Sequence, residues 1–378
     1  MKTWDEYYPE DQASGFDFKS APPEEFRKYF YPVPGKTDTG GKQVSIPLKK
    51  DQDVRSVDWN ADGTYCAVGT RDGQLVVFET SRVLDHTKVR QRVNPYLEVK
   101  ASDERRPAEC SNVRWHPEDC NIVATICGES LRVWDIRLRP PDVCVKQAGI
   151  KLADGKSAGE GLNMRWHPTG DYIFVSTSAD WMGIYLLGSA ETRKLERVAM
   201  NKFHYVVNEF EIAPDGSTLI AGNEWGAVDM FNVSAKHGAS LAVQPQHKKA
   251  ALQCNSSSVF AIDVEPLGRY FAVGSADSVV SFLTLRTHET MGCFTLCRDE
   301  IRSITFTADG EMTCVASKSE LYVIHSLTRS VIFRLPDLLD GGSQFAAKWH
   351  PKKYILMYCT DEGTNSTSVH FWIPNAYL

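Results

Sequence analysis

The stretch VFAIDVEPLGRYFAVGSADSVVSFLTL, Val259–Leu285, decides how the whole chain reads. Apolar residues alternate through Phe260, Ile262 and Val264, and Pro266 and Gly268 then turn the chain. Tyr270 to Val273 is a second apolar run, Ala276 and Asp277 turn the chain again, and Val279 to Leu285 is a third. A period of two bounded by turn residues marks strands. The stretch therefore predicts three antiparallel strands, which make one incomplete sheet.

The same grammar occurs six more times, each copy opening on an apolar run that ends in a large apolar residue before a turn. The openings are VRSVDW ending at Trp59, SNVRW at Trp115, GLNMRW at Trp166, VNEFEI at Ile212, IRSITF at Phe306 and FAAKW at Trp349, with Val264 closing the run quoted first. Successive anchors lie 42 to 56 residues apart. A four-strand propeller blade of the WD-repeat type takes roughly 40 to 45 residues plus insertions, so the period indicates blades rather than helical hairpins. The expected fold is all-β, a single seven-bladed WD-repeat β-propeller over residues 43–378 with an N-terminal aromatic arm over 1–42.

Composition agrees with one large packed domain, because 42% of the 378 residues are hydrophobic and 9 Trp, 14 Tyr and 17 Phe are present. Repeats bury their faces against their neighbours, so one closed ring suits this length better than several domains. The opening MKTWDEYYPEDQ lacks the apolar core of a signal peptide, and no stretch reaches the roughly 18 apolar residues of a membrane span. A soluble, intracellular protein that does not engage membranes is expected. Most of the 10 cysteines fall inside predicted strands (Cys66, Cys127, Cys144, Cys293, Cys314, Cys359), where a reduced thiol is a small apolar filler, so no disulfides are expected. A net charge of −6 speaks against strong autonomous nucleic-acid binding, which draws on many Lys and Arg contacts to phosphate.

The arm is acidic at first yet carries Trp4, Tyr7, Tyr8, Phe16, Phe18, Phe26, Tyr29, Phe30 and Tyr31. That is too aromatic for a solvated tail. Ala21–Pro22–Pro23 can start a short helix on which Phe26, Tyr29 and Phe30 share a face, to pack on the propeller or on a partner. Gln43–Lys49 alternates Val44, Ile46 and Leu48 with polar residues and Pro47, and a proline suits only an edge strand. It is assigned to the outer strand of the last blade, beside Val369–Ile373, so that the ring closes without an open edge. Thr80–Cys110 reads as a long polar connection, Ala153–Gly161 as a flexible connector and His247–Ser258 as an insert between blades four and five.

A search for chemistry finds none. Trp–His–Pro recurs at His116, His167 and His350, but each histidine lies at the first turn of a different blade, too far from the others to share zinc at bonds of about 2 Å. They read as structural turns. Cys293 and Cys297 stand about 13 Å apart on an extended strand, and Gly155–Lys156–Ser157 lacks the spacing of a phosphate loop. No catalytic residue, metal or cofactor is expected. Arg105, Arg106, Arg137, Arg139, Lys248, Lys249, Lys352 and Lys353 are candidate weak contacts to RNA phosphates.

The segment EPLGRYFAVGSADSVVSFL resembles a blade of the WD-repeat subunit of the THO complex, the third subunit of the Tex type. VRSVDW with NADG, SNVRWHPED followed by LRVWDIR, IRSITFTADGEM, AAKWHPKK and FWIPN follow in that family's order, and the resemblance covers residues 53 to 375. The aromatic arm, the 80–110 connection, the 247–258 insert and the loss of several Trp–Asp pairs depart from it. The resemblance implies a non-catalytic nuclear scaffold of the transcription–export assembly. That assembly couples transcription and mRNA processing to mRNA export. A large helical scaffold subunit is the implied direct partner, with a DEAD-box RNA helicase associated through the complex. A WD-repeat scaffold of another assembly, in translation initiation or chromatin assembly, is the alternative, and an enzyme or an RNA-binding module acting alone has little support from the site search and the charge balance.

Overall fold

In the computed structural model each opening run becomes the innermost strand of an antiparallel sheet. These strands are Val54–Trp59, Cys110–Trp115, Gly161–Trp166, Glu209–Ile212, Val259–Val264, Ile301–Phe306 and Ala347–Trp349. The structure describes residues 41–374 apart from 50–51, 85–92, 103–107, 141, 189–191, 237–239, 246–250, 336–345 and 362–366. Among the described residues there are seven sheets, six running outward through sequential hairpins and the seventh taking its outermost strand from Gly41–Pro47, and together they form a seven-bladed β-propeller.

The core lies between the blades. Seven apolar clusters are found, one at each seam; that between blades five and six gathers Phe282, Tyr270 and Ile301, for example. Because a blade is covered on both faces, alternation along its middle strands does not mark a wet side. Trp372, whose neighbours Phe371 and Ile373 face the seam with blade one, is itself 1% exposed and stacks on Phe333 across the seam with blade six at 4.5 Å.

Closure follows the register expected from the alternation. Gly41–Pro47 runs antiparallel to Thr367–Pro374, with Val44 opposite Phe371 and Ile46 opposite Val369, and all four side chains are buried. Pro47 sits at the end of this outer edge strand, where a missing N–H costs no ladder bond. Residues 1–40, with Phe26, Tyr29 and Phe30, lie outside the described residues.

Three segments differ from the sequence reading. The polar connection after blade one begins with a one-turn helix, Thr80–Leu84, whose Val83 is fully buried in the seam between blades one and seven. Within the 247–258 insert, Leu252–Gln253 pairs with Ala227–Val228 and adds a fifth strand to blade four. The Gly-rich loop is a bonded hairpin rather than a flexible connector: Leu152 N donates to the Lys156 carbonyl, Ala158 N donates to Ile150, and Ala158 is buried. In each case backbone groups find partners that composition does not reveal. Cysteines 66, 127, 314 and 359 fill the core, and burial pushes the Cys66 thiol up to about 12, whereas Cys293 stands exposed on an outer strand.

Candidate functional site

A polar residue precedes each anchor. Around the ring these are Asp58, Arg114, Arg165, Glu211, Asp263, Thr305 and Lys348, three carboxylates and three cations, of which Arg114, Arg165 and Lys348 line the central channel. The strand alternates, so the anchor and its predecessor point to opposite sides: Trp59 packs into the seam with blade seven, while Asp58 reaches the inner strand of blade two. The channel beside them holds about 500 Å³. Arg165 is its most enclosed cation, giving Nη2 to Glu209 Oε1 at 2.9 Å and Nε to Glu211 Oε2 at 2.6 Å. Burial opposes its charge, and the two glutamates outweigh burial and hold its pKa raised. Burial pushes Asp58 and Glu209 upward and takes Asp263 to about 6. It lowers Arg114, which also meets the like charge of Arg165.

These charges stitch blades together. Asp58 Oδ2 accepts the Trp115 N–H at 2.8 Å and Asp263 Oδ2 accepts the Phe306 N–H at 3.0 Å, each from the next inner strand. The Trp59 indole N–H returns to the Lys348 carbonyl and that of Trp166 to the Arg114 carbonyl, both at 3.1 Å. Ion pairs and backbone bonds thus occupy the channel groups, and no cluster of three or more His, Cys, Asp or Glu suited to a metal occurs among the described residues. The sequence reading missed this ring. Its signal was a polar residue recurring one position before every anchor.

The Trp–His–Pro turns form a second ring, on one face of the propeller. His350 Nδ1 accepts the N–H groups of Lys352 at 3.0 Å and Lys353 at 3.1 Å, which fixes Nε2 as the donor to the Gly63 carbonyl of blade one at 3.2 Å. His167 reaches the Gly216 carbonyl at 3.1 Å, and His116 bonds the Gly170 backbone. Close approach requires glycine at the receiving turn: a Cβ on Gly63 or Gly170 would overlap the imidazole. The histidines are therefore latches between neighbouring blades, each against a different partner.

The candidate contact residues are not brought together. Lys352 and Lys353 are exposed on the first turn of blade seven. Arg137 is bound to Asp135 at 2.6 Å, and Arg139 lies over the Tyr96 ring at 4.9 Å. Arg105, Arg106, Lys248 and Lys249 lie outside the described residues. Trp225 is 58% exposed at a tight turn of blade four and Leu296 57% exposed on the connection into blade six, and neither stood out in the sequence.

A closed ring of seven antiparallel sheets with paired polar groups near its axis defines a protein of the β-propeller class. Residues 42–79 match the WD domain, G-beta repeat, family. The chain is similar to THO complex subunit 3 of Arabidopsis thaliana, 27% identical over 335 residues that span 85% of this chain and 93% of that protein. It is also similar to the WD repeat-containing protein AAC3 of Dictyostelium discoideum, 21% identical over 367 residues, covering 94% of this chain and 69% of that one. Among solved structures, the beta-propeller domain of Cps50 (Swd1) from Myceliophteria thermophila superposes with a TM-score of 0.64 at 12% identity, covering 86% of this chain and 99% of that domain, a likeness of fold alone. These findings support a THO-like WD-repeat protein and point to a scaffold role.

Proposed function

We propose that this chain is a non-catalytic WD-repeat scaffold of a THO-type nuclear assembly, coupling transcription and mRNA processing to mRNA export. The observation that carries the reading is the likeness to THO complex subunit 3, which extends over nearly the whole ring rather than one blade. The geometry agrees with it, because the charged groups beside the channel are engaged with one another and with neighbouring backbone. On this reading a large helical subunit docks on the propeller, with Phe26, Tyr29 and Phe30 of the arm contributing, and a DEAD-box RNA helicase joins through the complex. Arg105, Arg106, Lys248, Lys249, Lys352 and Lys353 touch RNA phosphates weakly once the assembly brings RNA near. Tagging the full chain at its natural locus and purifying it natively tests this. Recovery of the helical THO subunits supports the proposal, and a stoichiometric complex of translation-initiation or chromatin-assembly subunits refutes it.

A further inference from the structure

The outer edge of blades two and three carries charge against the sign of the chain. Residues 130–151 and 192–202 hold nine cations and three carboxylates, in a protein whose net charge is −6. The first stretch includes the two outer strands of blade two, Ser130–Asp135 and Cys144–Gly149, and the second holds the outer strand of blade three, Glu196–Lys202. A backbone crossing joins the two edges. Gln147 N donates to the Arg193 carbonyl at 3.0 Å, Leu195 N donates to the Gln147 carbonyl at 3.1 Å, and Gln147 and Lys194 form a parallel bridge. Arg193 and Lys194, both exposed, are thereby fixed beside the outer strand of blade two.

Two further features extend the band. On the blade three side, Arg197 gives its guanidinium to the Lys151 carbonyl. On the blade one side lies a groove of about 500 Å³ whose lining includes Lys100 from the outer strand of blade one, Arg132 and Gln147 from blade two, and one carboxylate, Glu98. Burial raises the Cys144 thiol of this groove, and Arg132 and Arg193 both oppose the shift, so the crossing and the groove share one positive field. The cations are held in place without being neutralised. Arg132 gives Nη1 to the carbonyls of Ala101 at 2.7 Å and Ser102 at 3.2 Å, and a neutral acceptor removes no charge. Of the three carboxylates, Asp135 binds Arg137 and Glu196 is exposed. Asp142 meets Arg193 at 3.1 Å, but the two side chains are 66% and 76% exposed and such a pair contributes little. Glu98 is engaged by Lys49 and Gln52.

We propose that this band is a phosphate track for a single-stranded nucleic acid, whose backbone crosses the edge at Arg193 and Lys194 and enters the groove at Lys100 and Arg132. Arginine suits the role, because its planar fork matches a phosphate and it stays charged. A nucleic acid brings one negative charge per nucleotide whatever its sequence, as a band of this length requires. A peptide strand would add to an open sheet edge, and Arg193 to Leu195 already bridge the blade two edge at Gln147. A duplex, stiff over about 150 base pairs, does not follow a band that dips between two blades. Contacts of this kind read phosphate rather than sequence, and their affinity falls steeply with salt. A few of them give binding of micromolar order at physiological salt, in keeping with the net charge of −6.

The test titrates a fluorescein-labelled oligouridylate of about 20 nucleotides with the purified full chain, following anisotropy from about 50 to about 200 mM salt. Arg193→Glu with Lys194→Glu reverses two exposed charges of the track. Arg298→Glu with Lys318→Glu makes the same charge change at blade six, where Arg298 lies beside Glu320 and Lys318 beside Glu300. The expected result is affinity at about 50 mM salt roughly tenfold weaker for the track variant and less than about threefold weaker for the blade six variant. The slope of log affinity against log salt should be shallower by about 1.4 in the track variant, at about 0.7 per lost contact. If the track variant fails to fold by circular dichroism, Lys100→Glu with Lys151→Glu decides by the same criteria. No binding at the lower salt, equal losses in the two variants, an unchanged slope, or tighter binding of a polyglutamate of equal length overturns the proposal. The assay uses the isolated chain, so its outcome is independent of whether the chain belongs to a THO-type assembly.

Discussion

His350 closes the ring, and replacing it by alanine measures how much that closure contributes. The side chain accepts two backbone N–H groups, donates to Gly63 and sets its ring edge against Trp59 with centroids 4.9 Å apart. Three hydrogen bonds at about 1 kcal/mol net each give about 3 kcal/mol. Linkage sets how that contribution depends on pH. Burial holds the imidazole down to about 4 from its ordinary 6.5, with the Gly63 bond and Asp62 opposing and Lys352 and Lys353 reinforcing the shift. At about 1.4 kcal/mol per unit, that shift is again about 3 kcal/mol. A lowered folded-state pKa means the unfolded chain binds the proton more readily, so this stability is complete above pH 6.5 and is lost as pH falls toward 4. About 2 kcal/mol of it is gone by pH 5.

Asp263, pushed up to about 6, acts with the opposite sign: its folded form holds a proton the unfolded chain releases, so its contribution is lost as pH rises through 6. It is present in parent and variant alike and cancels in their difference. Urea unfolding of both proteins at pH 7.5 and pH 5, followed by tryptophan fluorescence and circular dichroism, should therefore show His350→Ala costing about 3 kcal/mol at the higher pH and about 1 kcal/mol at the lower. A cost that is the same at both pH values would refute the latch as a neutral imidazole.

Arg165→Met strands the mostly buried Glu209 and Glu211 and should destabilise by about 3 to 5 kcal/mol in the same urea assay; a change under 1 kcal/mol would mean that water, not the arginine, balances the glutamates. Deleting residues 1–50 removes the strand Gly41–Pro47 and should lower the melting temperature of the whole ring, whereas deleting 1–40 should not, and equal stability of the two truncations contradicts the closure. The Phe26, Tyr29 and Phe30 triple alanine variant should keep its melting temperature and lose co-purifying partners; unfolding instead would place the arm in the core. Isolated chain with net charge −6 should bind single-stranded RNA no tighter than the micromolar range at physiological salt, and nanomolar binding by gel shift would contradict that expectation.

The repeat count, the hairpin order and even the closing register were legible in the sequence, because they depend on local alternation and turn chemistry that each blade states by itself. Val44 and Phe371, 327 residues apart, and Ile46 and Val369, 323 apart, announced their pairing only because a ring must have a last strand and both ends alternate. What sequence did not reveal lies between blades. Nothing near His350 indicates that its acceptor is Gly63, 287 residues away. The charged ring was visible as a recurring position, but not as Arg165 shared by two glutamates of the next blade. Periodicity tells which residues leave the solvent, since burial follows from the strand's own alternation. Which partner each one meets is set by the rotation from blade to blade, and only the closed ring fixes that.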